Sequence, residues 1–193
     1  MPPQEQIWEF HPLTAERWPD LVRLFAQHGN PGYCWCMSWR MTSSAYAALD
    51  STGRRQALET IVRAGAPAGI LGYVAGEPAG WCSVAPRETY ARLERSTTLR
   101  RLDDQPVWSV VCFFVRRDVR GGASLKLLQA AVGYARSQGA RIVEGYPVES
   151  RHGKPATSYR YMGAVSAFRK AGFIDAGTGT NGRRIMRHVI VAD

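Results

Sequence analysis

The sequence predicts one α/β domain with a mixed sheet, spanning residues 1–193. A chain of 193 residues suffices for one buried core, and its 45% hydrophobic and 21% charged residues are ordinary for a globular domain. Strand-like and helix-like segments alternate along the chain, without a repeat, a low-complexity tract or a linker in the sequence. This order is typical of helices packed on a sheet whose strands run in both directions.

The N-terminal third is predicted to be mainly helical. Residues 7–13 read as a short strand, and Thr14 is an N-cap candidate for a helix containing Leu21, Leu24 and Phe25. Two more helices are expected over residues 44–49 and 54–63. An unusually aromatic connection, residues 33–40, lies between the first and second helices.

A hairpin and a long apolar strand follow. Residues 70–75 and 79–85 flank the turn-forming sequence Gly76-Glu77-Pro78, which predicts two paired strands. After a polar stretch, residues 107–115 form a β-rich apolar run. The sheet is therefore expected to be centred on these three strands.

The glycine pair Gly121-Gly122 lies between this apolar run and a helix pattern over residues 123–138. Glycines let backbone N–H groups turn toward one point, and a helix N-terminus adds partial positive charge. The segment Arg120–Ser124 therefore predicts a cradle for phosphate oxygens. A tight strand-to-helix turn of any α/β protein is the alternative.

The C-terminal part is predicted to complete the sheet. A strand over residues 141–148 is followed by a polar loop over 149–160 and a helix over 163–171, with Gly172 at its C′ position. One strand begins at Phe173, and the last covers residues 184–191.

Charge and cysteine content narrow the function classes. The net charge is +9, with 22 Arg and 3 Lys, which favours anionic partners. Because the arginines are scattered, nucleic acid is not favoured over a nucleotide-like cofactor or an acidic substrate. The four cysteines are not accompanied by metal-ligand spacing, so no metal site and no disulfide is expected.

The chain is expected to be cytoplasmic and not to enter a membrane. No apolar run approaches the roughly 20 residues of a membrane-spanning helix. The N-terminal residues 1–6 have neither the basic start nor the apolar core of a signal peptide.

Three ordered segments resemble the GNAT superfamily of N-acetyltransferases. They are residues 76–86 (GEPAGWCSVAP), residues 113–115 (FFV) followed by 120–124 (RGGAS), and residues 161–173 (YMGAVSAFRKAGF). Their order and spacing agree with that family over about residues 7–191. Three ordered matches are more specific than a single glycine motif.

This resemblance implies a GNAT-like fold, acetyl-CoA as co-substrate, and a sheet that opens between the central strand and the next one. The pantetheine arm would pair with the main chain of Phe113 and Val115, and the pyrophosphate would lie on Arg120, Gly121, Gly122, Ala123 and Ser124. Backbone N–H groups near Phe114 and Val115 would polarise the thioester oxygen. The reaction implied is direct acetyl transfer to a primary amine of a small molecule, either a metabolite or an antibiotic. Homodimers are common on this scaffold.

Glu144 is the preferred general base. It is a lone carboxylate in an otherwise apolar strand, so it either faces a cleft or pairs with a cation. A salt bridge to an Arg of the adjacent strand is an equally weighted alternative. Tyr146 shares the same strand face and could donate a proton or hold substrate, or it could be a core aromatic.

The sequence departs from the family at Phe168, where many members have a tyrosine that protonates the leaving thiolate. Tyr161 and Ser166 are the substitute acids, although each could be structural. The pyrophosphate segment is also one residue shorter than the family's usual pattern.

Trp35, Cys36 and Trp81 are the candidates for acceptor binding, because acceptor loops of this scaffold lie early in the chain. Buried aromatic packing is the alternative, and it is favoured for Trp39. Two other functions stay open: a different acyl donor, and a non-catalytic protein that binds CoA or another ligand.

Overall fold

The computed structural model describes residues 6–26, 32–119, 121–148 and 161–191. The predicted phosphate contact Arg120 and the predicted polar loop 149–160 lie outside the described residues. The described strands are β1 (Trp8–Pro12), β2 (Ile70–Val74), β3 (Glu77–Pro86), β4 (Trp108–Val115), β5 (Ile142–Gly145), β6 (Ile174–Thr178) and β7 (Arg184–Val189). The described α-helices are α1 (Trp18–Phe25), α2 (Ser43–Ala47), α3 (Ser51–Arg63), α4 (Ala91–Glu94), α5 (Ala123–Ser137) and α6 (Val165–Lys170).

All of these strands form one mixed sheet, as the sequence predicts. Its order is β1-β2-β3-β4-β5-β7-β6. The pairs are antiparallel except β4 and β5, which are parallel because α5 connects them by a crossover. The parallel pair therefore joins an N-terminal half, β1–β4, to a C-terminal half, β5–β7.

The sheet is covered on both faces. Leu21 and Leu24 of α1 and Leu58 of α3 pack on one face, which we call the α1 face. Leu127 and Leu128 of α5 pack on the other, the α5 face. All of these side chains are buried, so each face of the sheet has its own apolar core.

The first helix begins later than the predicted cap at Thr14. Residues 15–17 form a turn, and α1 starts at Trp18 with Pro19 in its first turn. Proline has no N–H to donate, so it is tolerated in the first turn and not in a helix interior. Helix α3, in contrast, begins three residues earlier than predicted, because the Asp50 carboxylate accepts the Gly53 N–H at 2.8 Å and caps it.

Two glycines end helices where the sequence predicts. Gly139 follows α5 and Gly172 follows α6, both in the left-handed conformation, with φ of +82° and +83°. The residue after each glycine donates its N–H to the carbonyl five residues earlier: Ala140 N–H to Ala135 O and Phe173 N–H to Phe168 O, both at 3.0 Å. This is the Schellman arrangement, which satisfies the last carbonyls of a helix.

Gly145, the last residue of β5, has no room for a side chain. A Cβ at this position would overlap Cε1 of Phe168 from α6. We predict that Gly145→Ala lowers the free energy of unfolding by about 1–3 kcal/mol, because Phe168 would be forced out of its position.

Gly133→Ala is the matched control for urea denaturation. Gly133 lies inside α5, and a Cβ there would meet nothing within 4 Å. Alanine has the higher helix propensity, so this variant should gain about 0.5–1 kcal/mol. Equal midpoints for Gly145→Ala and the wild type would contradict the close packing of β5 on α6.

Candidate active site

The parallel strands β4 and β5 separate within the sheet. They pair at only three positions, Trp108 with Val143, Ser109 with Glu144, and Val110 with Gly145. Strand β4 continues to Val115, whereas the chain beyond β5 turns toward Gly163, whose carbonyl accepts the Val148 N–H at 3.1 Å. The strand predicted over residues 141–148 is therefore cut short at Gly145, and the sheet opens where the sequence resemblance implies.

A β-bulge lies at the point of separation. Cys112 is opposite Ser83 and Val110 is opposite Val84, so β4 carries one extra residue, Val111. Bulges re-aim the chain and are common beside active sites. Here the bulge redirects the carboxyl half of β4 away from β5.

The edge of β4 that is not paired with β5 offers main-chain groups to the gap. The Arg116 N–H donates to Ala79 O at 2.9 Å, so residue 116 faces β3. With the period of two in a strand, Phe114 also faces β3, while the N–H and C=O groups of Phe113 and Val115 face the gap. The main-chain groups of Phe113 and Val115 therefore have the direction that pairing with a pantetheine arm requires, whereas those of Phe114 point to β3; the binding roles of all three residues stay predictions.

The turn into α5 has the features of an anion cradle. Gly122 is the N-cap residue in the left-handed conformation, with φ of +73°. Among the described residues, no side chain caps α5, and its first turn contains no acidic residue. Ala123 is buried and Ser124 half-buried, so the first N–H groups of a 15-residue helix point past Gly121 and Gly122 without a carboxylate partner in the described part of the chain.

Phe168 contacts both sides of the separation. Its ring lies 6.1 Å from that of Phe113 on β4 and 4.9 Å from that of Phe173, both in edge-on geometry, and it covers Gly145 of β5. The side chain is fully buried. Position 168 therefore fills the α5-face side of the gap with an apolar ring and supplies no proton there.

The two predicted substitute acids lie apart from one another. Tyr161 is half-buried and packs against the core of the α1 face, which also contains Tyr146. Ser166 is exposed on α6, which packs on the α5 face. Tyr161 is thus on the same side of the sheet as Glu144 and Tyr146, and Ser166 is not; the roles of both as acids stay predictions.

Glu144 forms the salt bridge that the sequence offers as an alternative to a catalytic base. Its Oε2 accepts the Nε–H of Arg187 at 2.8 Å, and Arg187 is its direct neighbour on β7. Its Oε1 accepts Nη1–H of Arg87 at 2.7 Å. Glu144 and Arg87 are each 1% exposed. Their charges compensate each other in a site that solvent does not reach, and the role of Glu144 as base stays a prediction that this geometry does not favour.

Tyr146 belongs to the same group, as strand alternation predicts. Its hydroxyl donates to Glu144 Oε1 at 2.7 Å, accepts from Arg87 at 2.7 Å, and lies 2.8 Å from Ser109 Oγ. Burial and the neighbouring Glu144 carboxylate raise the pKa of Tyr146 well above its ordinary value. The phenol therefore stays protonated and holds Glu144 in place.

The ion pairs continue outward to the segment between β3 and β4. Arg87 Nε–H donates to Glu94 at 2.8 Å, and Arg187 binds Asp103 through Nη1 at 2.6 Å and Nη2 at 3.1 Å. The Arg187 guanidinium holds the pKa of Asp103 below its usual value. Sequence reasoning missed Arg87, because its partner Glu144 is 57 residues away and no local pattern indicates the pairing.

The predicted acceptor residues Trp35, Cys36 and Trp81 lie in the core of the α1 face, with exposures of 7%, 2% and 0%. The Trp81 indole N–H donates to Cys36 Sγ at 3.2 Å, and Cys36 Sγ lies 3.3 Å from Cys112 Sγ. This packing agrees with the alternative of buried aromatics. Acceptor binding by these three residues stays a prediction without support from their positions.

The aromatic loop is backbone-strained where it enters the core. Trp35 and Cys36 have φ of +47° and +53°, a region that side chains rarely adopt. The hydrogen bond to Cys112, together with burial, raises the pKa of the Cys36 thiol well above its ordinary value. Cys36 is therefore a protonated packing residue rather than a nucleophile.

A cavity of about 810 Å³ lies beside α4 and the residues that follow it. Its walls come from Trp39 and the start of α2, from Arg92 and residues 95–99, from Pro147 and Val148 beyond β5, and from Gly182 and Arg183 before β7. Because Pro147 and Val148 follow the point where β5 leaves β4, the cavity is adjacent to the gap. Trp39, predicted to plug the core, is half-buried; it packs against the core of the α1 face and also lines this cavity.

Comparison with solved structures identifies the fold as that of the GNAT acetyltransferases, confirming the sequence resemblance at that level. A GNAT-family acetyltransferase from Streptococcus pneumoniae is 14% identical with a TM-score of 0.55, over 96% of this chain and 100% of that chain. A ribosomal-protein-alanine N-acetyltransferase from Brucella melitensis is 18% identical with a TM-score of 0.53, over 94% and 99%. An aminoglycoside acetyltransferase in complex with coenzyme A is 14% identical with a TM-score of 0.57, over 95% of each chain.

No protein-family model matches the sequence, and no curated protein matches it significantly. Among the described residues, no helix has the length and apolar character needed to cross a membrane. In the same part of the chain, no group of three or more His, Cys, Asp or Glu side chains is arranged to hold a metal ion.

The buried ion pairs predict that Glu144→Gln destabilises the protein. Glutamine keeps the shape but removes the buried charge that Arg87 and Arg187 share, so each guanidinium keeps only its more exposed partner, Glu94 or Asp103. We expect a loss of about 3–5 kcal/mol in the free energy of unfolding, measured by urea denaturation.

Glu59→Gln is the control, since Glu59 pairs with Arg63 on the surface of α3. It should cost no more than about 0.5 kcal/mol. A Glu144→Gln variant as stable as the wild type, but with turnover reduced about 10²-fold or more, would instead support Glu144 as the general base.

Proposed function

We propose that the protein is an acetyl-CoA-dependent N-acetyltransferase that transfers an acetyl group to a primary amine of a small molecule by direct attack. One observation carries this proposal: β4 and β5 separate after three paired positions and leave the β4 main chain open beside an uncapped helix N-terminus. The resulting gap has a peptide-like edge at one end and an anion cradle at the other.

The residues around the gap are suited to coenzyme A. The main-chain groups of Phe113 and Val115 face the gap and could bond the amides of a pantetheine arm. Gly121 and Gly122 have open space where a Cβ would lie, so a pyrophosphate could approach their backbone closely. Two GNAT-fold proteins, the aminoglycoside acetyltransferase and an N-acetyltransferase from Thermoplasma acidophilum, are known in complex with coenzyme A.

The chain contributes positioning more than proton transfer. When bound, acetyl-CoA supplies an activated thioester carbonyl. The Val115 N–H, which faces the gap, could polarise that oxygen, and preorganised backbone donors are commonly the largest electrostatic contribution to such reactions. The transfer forms a C–N bond, breaks the C–S bond and releases one proton. With Phe168 at the position of the usual acid, a thiolate would leave without a proton from that side chain.

A non-catalytic CoA-binding protein is the second candidate, and two observations favour it. Phe168 is a buried ring without a hydroxyl, and Glu144 is bound by two guanidinium groups. A different acyl donor is also compatible with the gap. Free-thiol release from acetyl-CoA and longer acyl-CoA esters, assayed with a panel of amines, separates these functions. The cytoplasmic location and a homodimer stay predictions of the sequence.

We predict that CoA stabilises the protein and that Gly122→Val reduces this effect. A ligand at about 100 times its Kd adds about 2.7 kcal/mol to stability, which a thermal-shift assay detects. Valine at Gly122 places a side chain at the cradle and strains a backbone with φ of +73°. Calorimetry should therefore show CoA affinity reduced at least about 10-fold, as expected for the loss of a charge-assisted contact.

Gly139→Val is the control that distinguishes loss of the anion cradle from the effect of backbone strain. Gly139 lies at the opposite end of α5, also at positive φ and also with open space around it. It should lower stability by a similar amount and leave CoA affinity unchanged. Wild-type CoA affinity in a folded Gly122→Val variant would show that this turn does not hold the cofactor.

A further inference from the structure

The charged side chains that line the cavity beside the gap are cationic. Its lining includes the arginines Arg92, Arg95 and Arg183, and no aspartate or glutamate among the residues that the structure describes. Hydroxyl groups make up much of the remaining wall; they belong to Thr42, Ser43, Ser44, Ser96, Thr97 and Thr98. Guanidinium and hydroxyl groups together are donors that suit oxyanions.

The first two arginines have no carboxylate partner in the described part of the chain. The Arg92 guanidinium lies 5.4 Å from the centre of the Tyr46 ring, and its Nε is buried without a hydrogen bond. Arg95 is exposed at the end of α4. The nearby Glu94 does not compensate them, because its two oxygens bind Arg87 and Arg101 at 2.8 Å each.

The cavity wall is fixed to the rest of the fold. The Arg92 N–H donates to Trp39 O at 3.1 Å, which joins α4 to the aromatic segment. The Thr180 N–H donates to Thr98 O at 3.2 Å, which joins the turn before β7 to the opposite side. The arginines are thus held around one space whose volume, about 810 Å³, is within the usual range for small-molecule sites.

We infer that the acceptor is an amine that also carries an anionic group, a carboxylate or a phosphate, which Arg92 and Arg95 bind. This inference rests on the proposed acetyl transfer and adds the class of acceptor. Polycationic amines such as aminoglycosides or polyamines are disfavoured, since like charges in a partly desolvated cavity repel one another. In this respect the cavity differs from what a kanamycin-like acceptor requires.

The same charges bear on how the amine becomes nucleophilic. A nearby positive charge disfavours the protonated form of an amine and lowers its pKa. Two guanidinium groups that hold the anionic end of the acceptor would therefore raise the fraction of neutral amine at the other end. Arg92 and Arg95 act as binding and positioning residues, and this effect reduces the need for a side-chain base.

Matched acceptor pairs test the inference by free-thiol release from acetyl-CoA. The pairs are glycine with glycinamide, glutamate with its diamide, and phosphoethanolamine with ethanolamine; spermidine and kanamycin represent polycations. The anion-bearing member should have a kcat/KM about 10- to 100-fold higher, the range expected for one charge-assisted contact. The amino-acid and phosphoethanolamine arms distinguish carboxylate from phosphate.

Arg92→Gln and Arg95→Gln should each remove most of that preference while CoA binding stays intact. The rate should also reach half of its maximum at a higher pH. Without the neighbouring positive charge the pKa of the acceptor amine rises, so a higher pH is needed to deprotonate it. Arg63→Gln is the control, because Arg63 is exposed on α3 and pairs only with Glu59 among the described residues. It should change neither the preference nor the pH profile.

The outcomes separate this inference from the proposed function. Thiol release with spermidine or kanamycin but not with the anion-bearing amines would overturn the inference and leave acetyl transfer standing. If no amine releases thiol, acetyl transfer fails, and calorimetric titration of the same acceptors in the presence of CoA decides the binding site. Equal binding of charged and uncharged members, or binding unaffected by Arg92→Gln and Arg95→Gln, would overturn the anionic site.

Discussion

Opening a sheet between two parallel strands leaves its halves joined by little main-chain pairing. Here β4 and β5 share only three paired positions. Side chains make a second connection at the same level: Arg87 follows β3, Arg187 lies on β7, and both bind Glu144 of β5. The Ser109 hydroxyl on β4 adds a contact to Tyr146 across the junction. The gap can therefore exist because a buried ion-pair group closes the sheet directly below it.

That group also explains why the neighbouring cavity is cationic. Glu94 and Asp103, two of the four acidic residues in the segment between β3 and β4, form ion pairs with Arg87 and Arg187. The arginines at the cavity, Arg92 and Arg95, then have no carboxylate partner among the described residues, since the adjacent Glu94 binds Arg87 and Arg101. Placing the carboxylates in the junction thus concentrates positive charge in the space beside the gap.

Local patterns in the sequence predicted the order of elements well. Alternation put Glu144 and Tyr146 on one face, and their side chains are hydrogen-bonded at 2.7 Å. The C′ glycines Gly139 and Gly172 end the helices as expected. Signals of this kind depend on residues a few positions apart, so they can be recognised without the tertiary structure.

The site itself was less predictable, because it depends on pairings between distant residues. Nothing local in the sequence joins Arg87 to Glu144, and the ion pair decides whether that carboxylate is available for chemistry. Trp35 and Trp39 belong to the same aromatic segment, residues 33–40, and nothing in that segment distinguishes them. Trp35 is nevertheless buried in the core through a strained backbone, whereas Trp39 is half-buried and lines the cavity. The start of α1 differs from the prediction for another reason: Thr14 resembles a cap, but Pro19 fixes the position of the first turn.

These features bear on how an acetyl transfer could proceed with few proton-transferring side chains. The group at position 168 is apolar, and the carboxylate of Glu144 already accepts hydrogen bonds from two guanidinium groups and a phenol. A thiolate is a stable leaving group near neutral pH, so an acid is the most dispensable part. The remaining requirement is a neutral amine, which positive charge near the acceptor favours by disfavouring its protonation. In this arrangement the electrostatic field of the cavity provides what a dedicated base provides elsewhere, and the buried carboxylate is left to hold the sheet together.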